Sequence, residues 1–173
     1  MKVDLSKPLR GRAWKFGDSV DTDVIAPHQR APIFEDLKKI TMDAYRPEFA
    51  KEVTSGDILV AGKNFGCGSH REMANDVLRA VGIQAIVAES IARIFFRIGI
   101  SYAMPTFVCP GVTALVEDGE EIELDMANAT ARNPRTGKSI PISKYPPSID
   151  KIFQSGGITP LLIERLRSEG EDI

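Results

Sequence analysis

One stretch constrains this chain more than any other: Gly62-Lys63-Asn64-Phe65-Gly66-Cys67-Gly68-Ser69-His70-Arg71-Glu72. Three glycines, a serine, an arginine and an acid fall within it. The apolar run Ile58 to Ala61 precedes it and a helical pattern from Met73 to Val81 follows. That order reads as buried strand, tight glycine loop, helix start. Met73, Val77, Leu78 and Val81 share one helical face, and Gly82 is placed to cap the helix end. Gln84 to Ala88 is a second buried strand. Strand, helix and strand of these lengths make a βαβ unit, which demands parallel pairing.

The flanking segments fit around that unit. Arg10 to Phe16 is a candidate first strand, and Ser19 to Asp23 is polar and turn-prone. Val24-Ile25-Ala26 is an apolar burst stopped by Pro27. Helical turns are expected over Ile33 to Lys39, Thr41 to Tyr45 and Pro47 to Val53. Ser90 is a candidate cap for a helix whose inward face is Ile91, Ile94, Phe95 and Ile98, with Gly99 ending it. Thr106 to Cys109 is a further strand and Val112 to Val116 a helical turn. The character then turns to β, with short strands at Glu121 to Leu124, Ala129 to Arg132 and Ser139 to Ile142. Two helices close the chain, Ser148 to Gln154 and Leu161 to Arg167, the second opened by Pro160. No repeat and no linker divides the sequence, so residues 1–173 are expected to form a single domain.

Composition narrows the function classes. With 22 basic and 24 acidic residues the net charge is -2, and no basic stripe with interleaved aromatics is present. A nucleic-acid partner is not expected. No apolar run approaches the ~20 residues of a membrane span. Met1 to Arg12 is charged and lacks the apolar core of a signal peptide, so a cytoplasmic protein is expected. The two cysteines, Cys67 and Cys109, form no Cys-x-x-Cys pair. This chain alone therefore offers neither an iron–sulfur nor a structural zinc site. Free thiols are expected for both, as a disulfide is disfavoured in a reducing compartment.

A glycine loop between strand and helix turns backbone N–H groups toward one point, where the helix dipole favours an anion. Glycine lets that anion approach the backbone without a Cβ in the way. Arg71 adds a planar fork that fits a carboxylate or phosphate bidentately. The familiar glycine motifs fail on detail. A P-loop needs Lys-Ser/Thr after its last glycine, a dinucleotide fingerprint needs a third glycine, and a hydrolase elbow needs Gly-x-Ser-x-Gly. The plain alternative is a capped turn, with Ser69 as helix N-cap and Glu72 three residues on as a capping box. Local physics leaves both readings open.

The stretch Gly62-Lys63-Asn64-Phe65-Gly66-Cys67-Gly68-Ser69-x-Arg71-Glu72 closely resembles the signature of the 3-isopropylmalate dehydratase small subunits, the counterpart of the swivelling fourth domain of aconitase. Three more stretches carry the resemblance: Asp21-Thr22-Asp23-Val24-Ile25 with Pro27; Ala88-Glu89-Ser90-x-Ala92-Arg93-Ile94-Phe95; and Gly156-Gly157 before a short final helix. It runs in order from about Gly11 to Leu166. The resemblance implies an α/β swivelling β/β/α domain, a mixed sheet with a parallel βαβ core. It also implies a hydro-lyase active only with a large subunit, whose 4Fe–4S cluster acts as a Lewis acid on a small dicarboxylate substrate. By the same resemblance, Ser69 is the catalytic serine that takes a carbon-bound proton as an alkoxide. Arg71 grips a substrate carboxylate, and Gly66, Cys67 and Gly68 line the loop whose N–H groups stabilise the alkoxide. Isomerisation of 2- and 3-isopropylmalate in leucine biosynthesis is the leading reading. The alternatives are the same chemistry on homoaconitate or 2,3-dimethylmalate, or a non-catalytic anion-binding regulatory domain.

The sequence departs from the family pattern twice. His70 stands where a second serine is usual, and is a candidate for tuning activity near neutral pH. After the Asp-Thr-Asp stretch the family reads Pro-Ala-Arg-Tyr-Leu, whereas this chain has Pro27-His28-Gln29-Arg30-Ala31-Pro32. The resemblance implies that this loop discriminates the substrate's side group. Arg30 is then a candidate for holding a distal carboxylate, and Ala31, Pro32, Ile33 and Phe34 for an alkyl group. Asp21 and Asp23 are read as turn and capping carboxylates. Arg93 and Arg97 are read as surface or interface charges, and Cys67 as a small loop residue rather than a nucleophile.

Overall fold

A computed structural model of the chain describes residues 2–69 and 72–170. In chain order the elements are β1 (Leu9–Lys15), α1 (Thr22–Ile25), α2 (Phe34–Ile40), α3 (Phe49–Glu52), β2 (Asp57–Ala61), α4 (Met73–Ala80), β3 (Ile83–Ala88) and α5 (Arg93–Ser101). They continue with β4 (Thr106–Val108), α6 (Val112–Leu115), β5 (Glu121–Asp125), β6 (Thr130–Arg132), β7 (Ser139–Pro141), α7 (Pro147–Ser155) and α8 (Ile158–Ser168).

The strands form one mixed sheet in the order β4-β3-β2-β1-β5-β6-β7. The first four pair in parallel, as the βαβ reading requires, and β1-β5-β6-β7 pair antiparallel. Every residue of β2 is buried, as expected of a central strand covered on both faces. Its side chains alternate between two cores. Leu59 and Ala61 join Trp14, Phe16, Ile86 and Phe95 under the helices that follow β1, β2 and β3. Ile58 and Val60 join Ala13, Val87, Phe107, Leu124 and Phe153 on the other face.

Buried polar groups fasten the sheet. Asp57 opens β2 and accepts bonds from Trp14 Nε1 at 2.7 Å, Arg12 Nη2 at 2.9 Å and the Thr54 N–H at 2.9 Å. Burial alone raises a carboxyl pKa, but the Thr54, Trp14 and Arg12 donors outweigh it and hold Asp57 below its ordinary value. The guanidinium groups of Arg12 and Arg46 lie over the Trp14 ring at 4.5 and 4.7 Å.

Four local expectations are corrected. Glu72, not Ser69, is the N-cap of α4, and it makes no side-chain cap bond. Its carboxylate instead accepts from the Tyr102 hydroxyl at 2.9 Å, so the capping box does not form. Ser90 does not cap α5, because its Oγ accepts the Asn64 N–H at 2.8 Å while Ala92 is the cap. Gly99 lies inside α5 rather than ending it, and a Cβ there would stand 2.8 Å from Thr106 Oγ1. Thr41 to Tyr45 forms turns rather than a helix. Among the described residues, no helix is long and apolar enough to cross a membrane.

Candidate active site

The site is built at the carboxyl ends of the parallel strands, where α/β sheets leave a crevice. The segments leaving β1, β2 and β3 stay side by side for a few more residues. Asp21 bridges Cys67 and Phe65 bridges Ile91, both in parallel. The Ser19 N–H donates to Lys63 O at 2.7 Å, Gly66 N–H to Val20 O at 2.8 Å and Thr22 N–H to Cys67 O at 2.9 Å. On the far side Phe65 N–H donates to Ser90 O at 3.0 Å and Ala92 N–H to Phe65 O at 2.8 Å. The glycine stretch is thus the middle ribbon of three, not a free loop.

Two of its glycines are required by that arrangement. Gly66 and Gly68 have φ of +74° and +92°, a region L side chains rarely adopt. A Cβ on Gly66 would run into the Phe95 ring, and one on Gly68 into the Asp21 carboxylate. Asp18 braces the loop's start by accepting the Lys63 N–H at 2.6 Å. Thr22 braces its end by donating its hydroxyl to Ser69 O at 2.7 Å.

Ser69 emerges from this frame exposed. Its hydroxyl donates to Asp23 Oδ1 at 3.2 Å. Asp21 is the capping carboxylate of α1, accepting the Asp23 N–H at 2.7 Å. Asp23 is something more than the capping residue read from sequence, since it faces the serine. The signal was available: Asp21 and Asp23 are two apart, so a turn that buries one against the chain leaves the other to point away. Nothing in the sequence said that it would meet Ser69.

A cavity of about 620 Å³ opens beside the serine, lined by Gly66, Cys67, Gly68 and Ser69 on one side. On the other side stand Ile91, Ile94 and Ile98 with Arg93 and Arg97. Ile94 is 54% exposed and borders this space, so the expected inward face holds for Phe95, Ile98 and the partly buried Ile91 just before α5, but not for Ile94. Arg93 and Arg97 are exposed, as read from sequence, but they border the cavity beside Ser69.

The remaining site expectations divide. Gly66 cannot aim its N–H at a substrate oxygen, because Val20 O already accepts it; its part is to bend the loop. Burial, then the negative charge of Asp21, raises the Cys67 thiol above its ordinary pKa, consistent with a small inert loop residue. Arg30 is joined to Asp43 by two bonds, Nη1 to Oδ1 at 2.8 Å and Nη2 to Oδ2 at 2.6 Å. Ala31 is buried in the core and unavailable to a substrate, whereas Pro32, Ile33 and Phe34 are exposed. His70 and Arg71 lie outside the described residues.

The donor set does not suit a metal cluster on this chain. Cys109 is buried with a pKa raised to about 12, mainly by burial, and Cys67 supplies one thiol. Among the described residues, no three His, Cys, Asp or Glu side chains converge on one point.

Comparison with known proteins places these residues in a wider set. Residues 21–104 match the family model described as the aconitase C-terminal domain. The chain is 43% identical over 164 residues to the 3-isopropylmalate dehydratase small subunit 1 of Methanopyrus kandleri, covering 94% of each. It is 41% identical over 152 residues to the methanogen homoaconitase small subunit of Methanothermobacter thermautotrophicus, covering 87% of this chain and 88% of that one. The fold matches the crystal structure of a 3-isopropylmalate dehydratase from Methanocaldococcus jannaschii with a TM-score of 0.85 at 33% identity. That match covers 95% of this chain and all of the other.

Proposed function

Since this chain belongs to the family of 3-isopropylmalate dehydratase small subunits, we propose that it is the small subunit of a two-subunit hydro-lyase acting in the cytoplasm. The enzyme interconverts 2- and 3-isopropylmalate by removing water and adding it back at the neighbouring carbon, a step of leucine biosynthesis. The observation that carries this reading is the exposed Ser69 hydroxyl, bonded to Asp23 at the edge of the cavity.

The chemistry asks for a base at a carbon-bound proton next to a carboxylate, and for help with a departing hydroxide. Ser69 Oγ is the atom that takes the carbon-bound proton. Its own hydroxyl proton has Asp23 Oδ1 as acceptor, so charge need not accumulate on the serine oxygen. In this reading the N–H groups of Cys67 and Gly68 stabilise any negative charge that does develop on that oxygen. Rehydration runs the same transfers in reverse. Arg71 holds a substrate carboxylate through its planar fork, which fixes the orientation of the C–H bond. The apolar wall of Ile91, Ile94 and Ile98 borders the reacting face and helps to exclude water once the large subunit covers it.

The Lewis-acid part falls to a 4Fe–4S cluster held by a large subunit, because two cysteines cannot hold such a cluster on this chain. The test is co-expression with that large subunit, anaerobic reconstitution, and assay of 3-isopropylmalate, homocitrate and 2,3-dimethylmalate for unsaturated product. Turnover of 3-isopropylmalate is the expected result. A stable, reconstituted assembly that turns over none of the three would overturn the proposal.

A further inference from the structure

The loop that presents Ser69 holds another polar side chain at the same cavity. Among the described residues, the non-glycine positions with positive φ are Ser19, Met42, Asn64, Ala103 and Ala129. Of these, Asn64, with φ of +59°, alone lines the cavity of about 620 Å³. It stands where the glycine ribbon changes neighbours. Lys63 is bonded to the segment after β1: its N–H donates to Asp18 Oδ1 at 2.6 Å and its carbonyl accepts the Ser19 N–H at 2.7 Å. Asn64 and Phe65 are bonded to the segment after β3, their N–H groups donating to Ser90 Oγ at 2.8 Å and Ser90 O at 3.0 Å. The left-handed conformation at Asn64 makes that switch, and the bonds on both sides hold it.

Asparagine tolerates this conformation because its short side chain can bond the backbone nearby. Asn64 does not use its side chain so. The carboxamide, with two donors and an acceptor, makes no hydrogen bond among the described residues and is exposed at the cavity. The turn thus asks only for the backbone, which glycine would supply without strain. Water satisfies the carboxamide while the cavity is open. Once a large subunit covers the cavity that water is lost, and an unpaired carboxamide is costly there. A dicarboxylate held between the two subunits can take the place of the water.

We propose that Asn64 is a further substrate-binding residue, whose Nδ2–H donates to a carboxylate oxygen of the dicarboxylate. The inference rests on the hydro-lyase reading above. Ser69 and Asn64 then act on one substrate from two points of the same braced ribbon. Because the backbone on both sides of Asn64 is fixed before substrate arrives, only its side-chain torsions remain to be ordered when the bond forms.

The test uses the assembled two-subunit enzyme with wild-type, Asn64→Gly or Asn64→Asp small subunit. Glycine keeps the left-handed turn and removes the carboxamide, whereas aspartate keeps the shape and sets a negative charge against the substrate. The measurements are the melting transition, the subunit dissociation constant, kcat and KM for 3-isopropylmalate, and calorimetric affinity for the unreactive dicarboxylate 2-isopropylsuccinate. In Asn64→Gly the melting transition should stay within about 3 °C of wild type and subunit association within about twofold. Its kcat/KM should fall about tenfold or more, chiefly through KM, and 2-isopropylsuccinate should bind more weakly by a similar factor. Asn64→Asp should lose more on both counts. Full kcat/KM and full affinity in Asn64→Gly would overturn the proposal, since a turn is then all that the residue supplies. Weakened assembly in that variant would overturn it too, by making the large subunit the partner of the carboxamide, as would a lowered melting transition, by making its role structural. If wild type turns over no 3-isopropylmalate, the hydro-lyase reading is what has failed. The calorimetric comparison then still decides Asn64, and absent binding or equal binding in Asn64→Gly would overturn its role.

Discussion

At the scale of single residues, the account turns on the pair Ser69 and Asp23. A serine hydroxyl is a poor base by itself, and no histidine among the described residues is bonded to it. The carboxylate at 3.2 Å is its one identified acceptor. Ser69→Ala should lower kcat by about a hundredfold or more while leaving the melting temperature and subunit assembly intact. Asp23→Asn should lower kcat less, with KM nearly unchanged, because the asparagine oxygen still accepts the bond but not the proton. Equal kcat in Asp23→Asn and wild type would remove Asp23 from the proton path. Cys67 gives a separate check at this scale. With its pKa raised by burial and by Asp21, it should react with iodoacetamide at pH 7 more slowly than a free thiol. Labelling as fast as glutathione would contradict the loop geometry that half-buries it beside Asp21.

At the scale of elements, the glycine ribbon and the strand it continues are the parts most exposed to failure. Gly68→Ala should cost about 2 kcal/mol, from the positive φ and the collision with Asp21. Turnover should fall with it, since Asp21 anchors the turn that presents Asp23. Asp57 makes a prediction about pH. Its folded pKa lies below the unfolded value, so its contribution to stability is present above the ordinary carboxylate range and is lost as pH falls through the lowered pKa. Asp57→Asn should cost about 2 kcal/mol at pH 7, with the difference from wild type shrinking below about pH 4. A constant difference down to pH 2 in denaturant titrations would contradict the assignment.

These elements also show what the sequence makes legible. The strands and helices of the βαβ core are plain because apolar period and glycine punctuation agree there: Ile58 to Ala61, Met73 to Val81 and Gln84 to Ala88 all lie within a residue or two of the observed elements. The capping errors at Ser69 and Ser90 have one cause. A serine before a helix satisfies the local rule, but each serine here is bonded to a neighbouring ribbon, a contact set by pairing between distant segments. The outward turn of Ile94 is of the same kind. Its spacing says helix face, and only the position of α5 beside the cavity decides which face looks inward. Ser69 and Gly68 stand out in the sequence through the motif, whereas the Ser69–Asp23 contact spans 46 residues and no local pattern signals it.

At the scale of the whole molecule, the chain carries half of a reaction. One wall of the cavity is its own: the ribbon of Gly66 to Ser69, and α5 with Arg93, Ile94 and Arg97. The space is open on the remaining side. A large subunit would complete it, and membership of a family named as small subunits implies such a partner. Arg93 and Arg97 flank the exposed Ile94 at that opening. Reversing both charges, Arg93→Glu with Arg97→Glu, should weaken assembly with the large subunit about tenfold or more without unfolding this chain, as read by analytical ultracentrifugation. Unchanged association would place the interface elsewhere.

The central claim is that Ser69 of this chain performs the proton transfer at a site completed by another subunit. The most direct measurement is the rate of unsaturated acid formation from 3-isopropylmalate, followed by ultraviolet absorbance, in the anaerobically reconstituted two-subunit assembly with wild-type or Ser69→Ala small subunit. The account predicts steady turnover with the wild-type chain, and a loss of at least about a hundredfold with Ser69→Ala at equal assembly and equal cluster content. Turnover that survives Ser69→Ala under those conditions would contradict it.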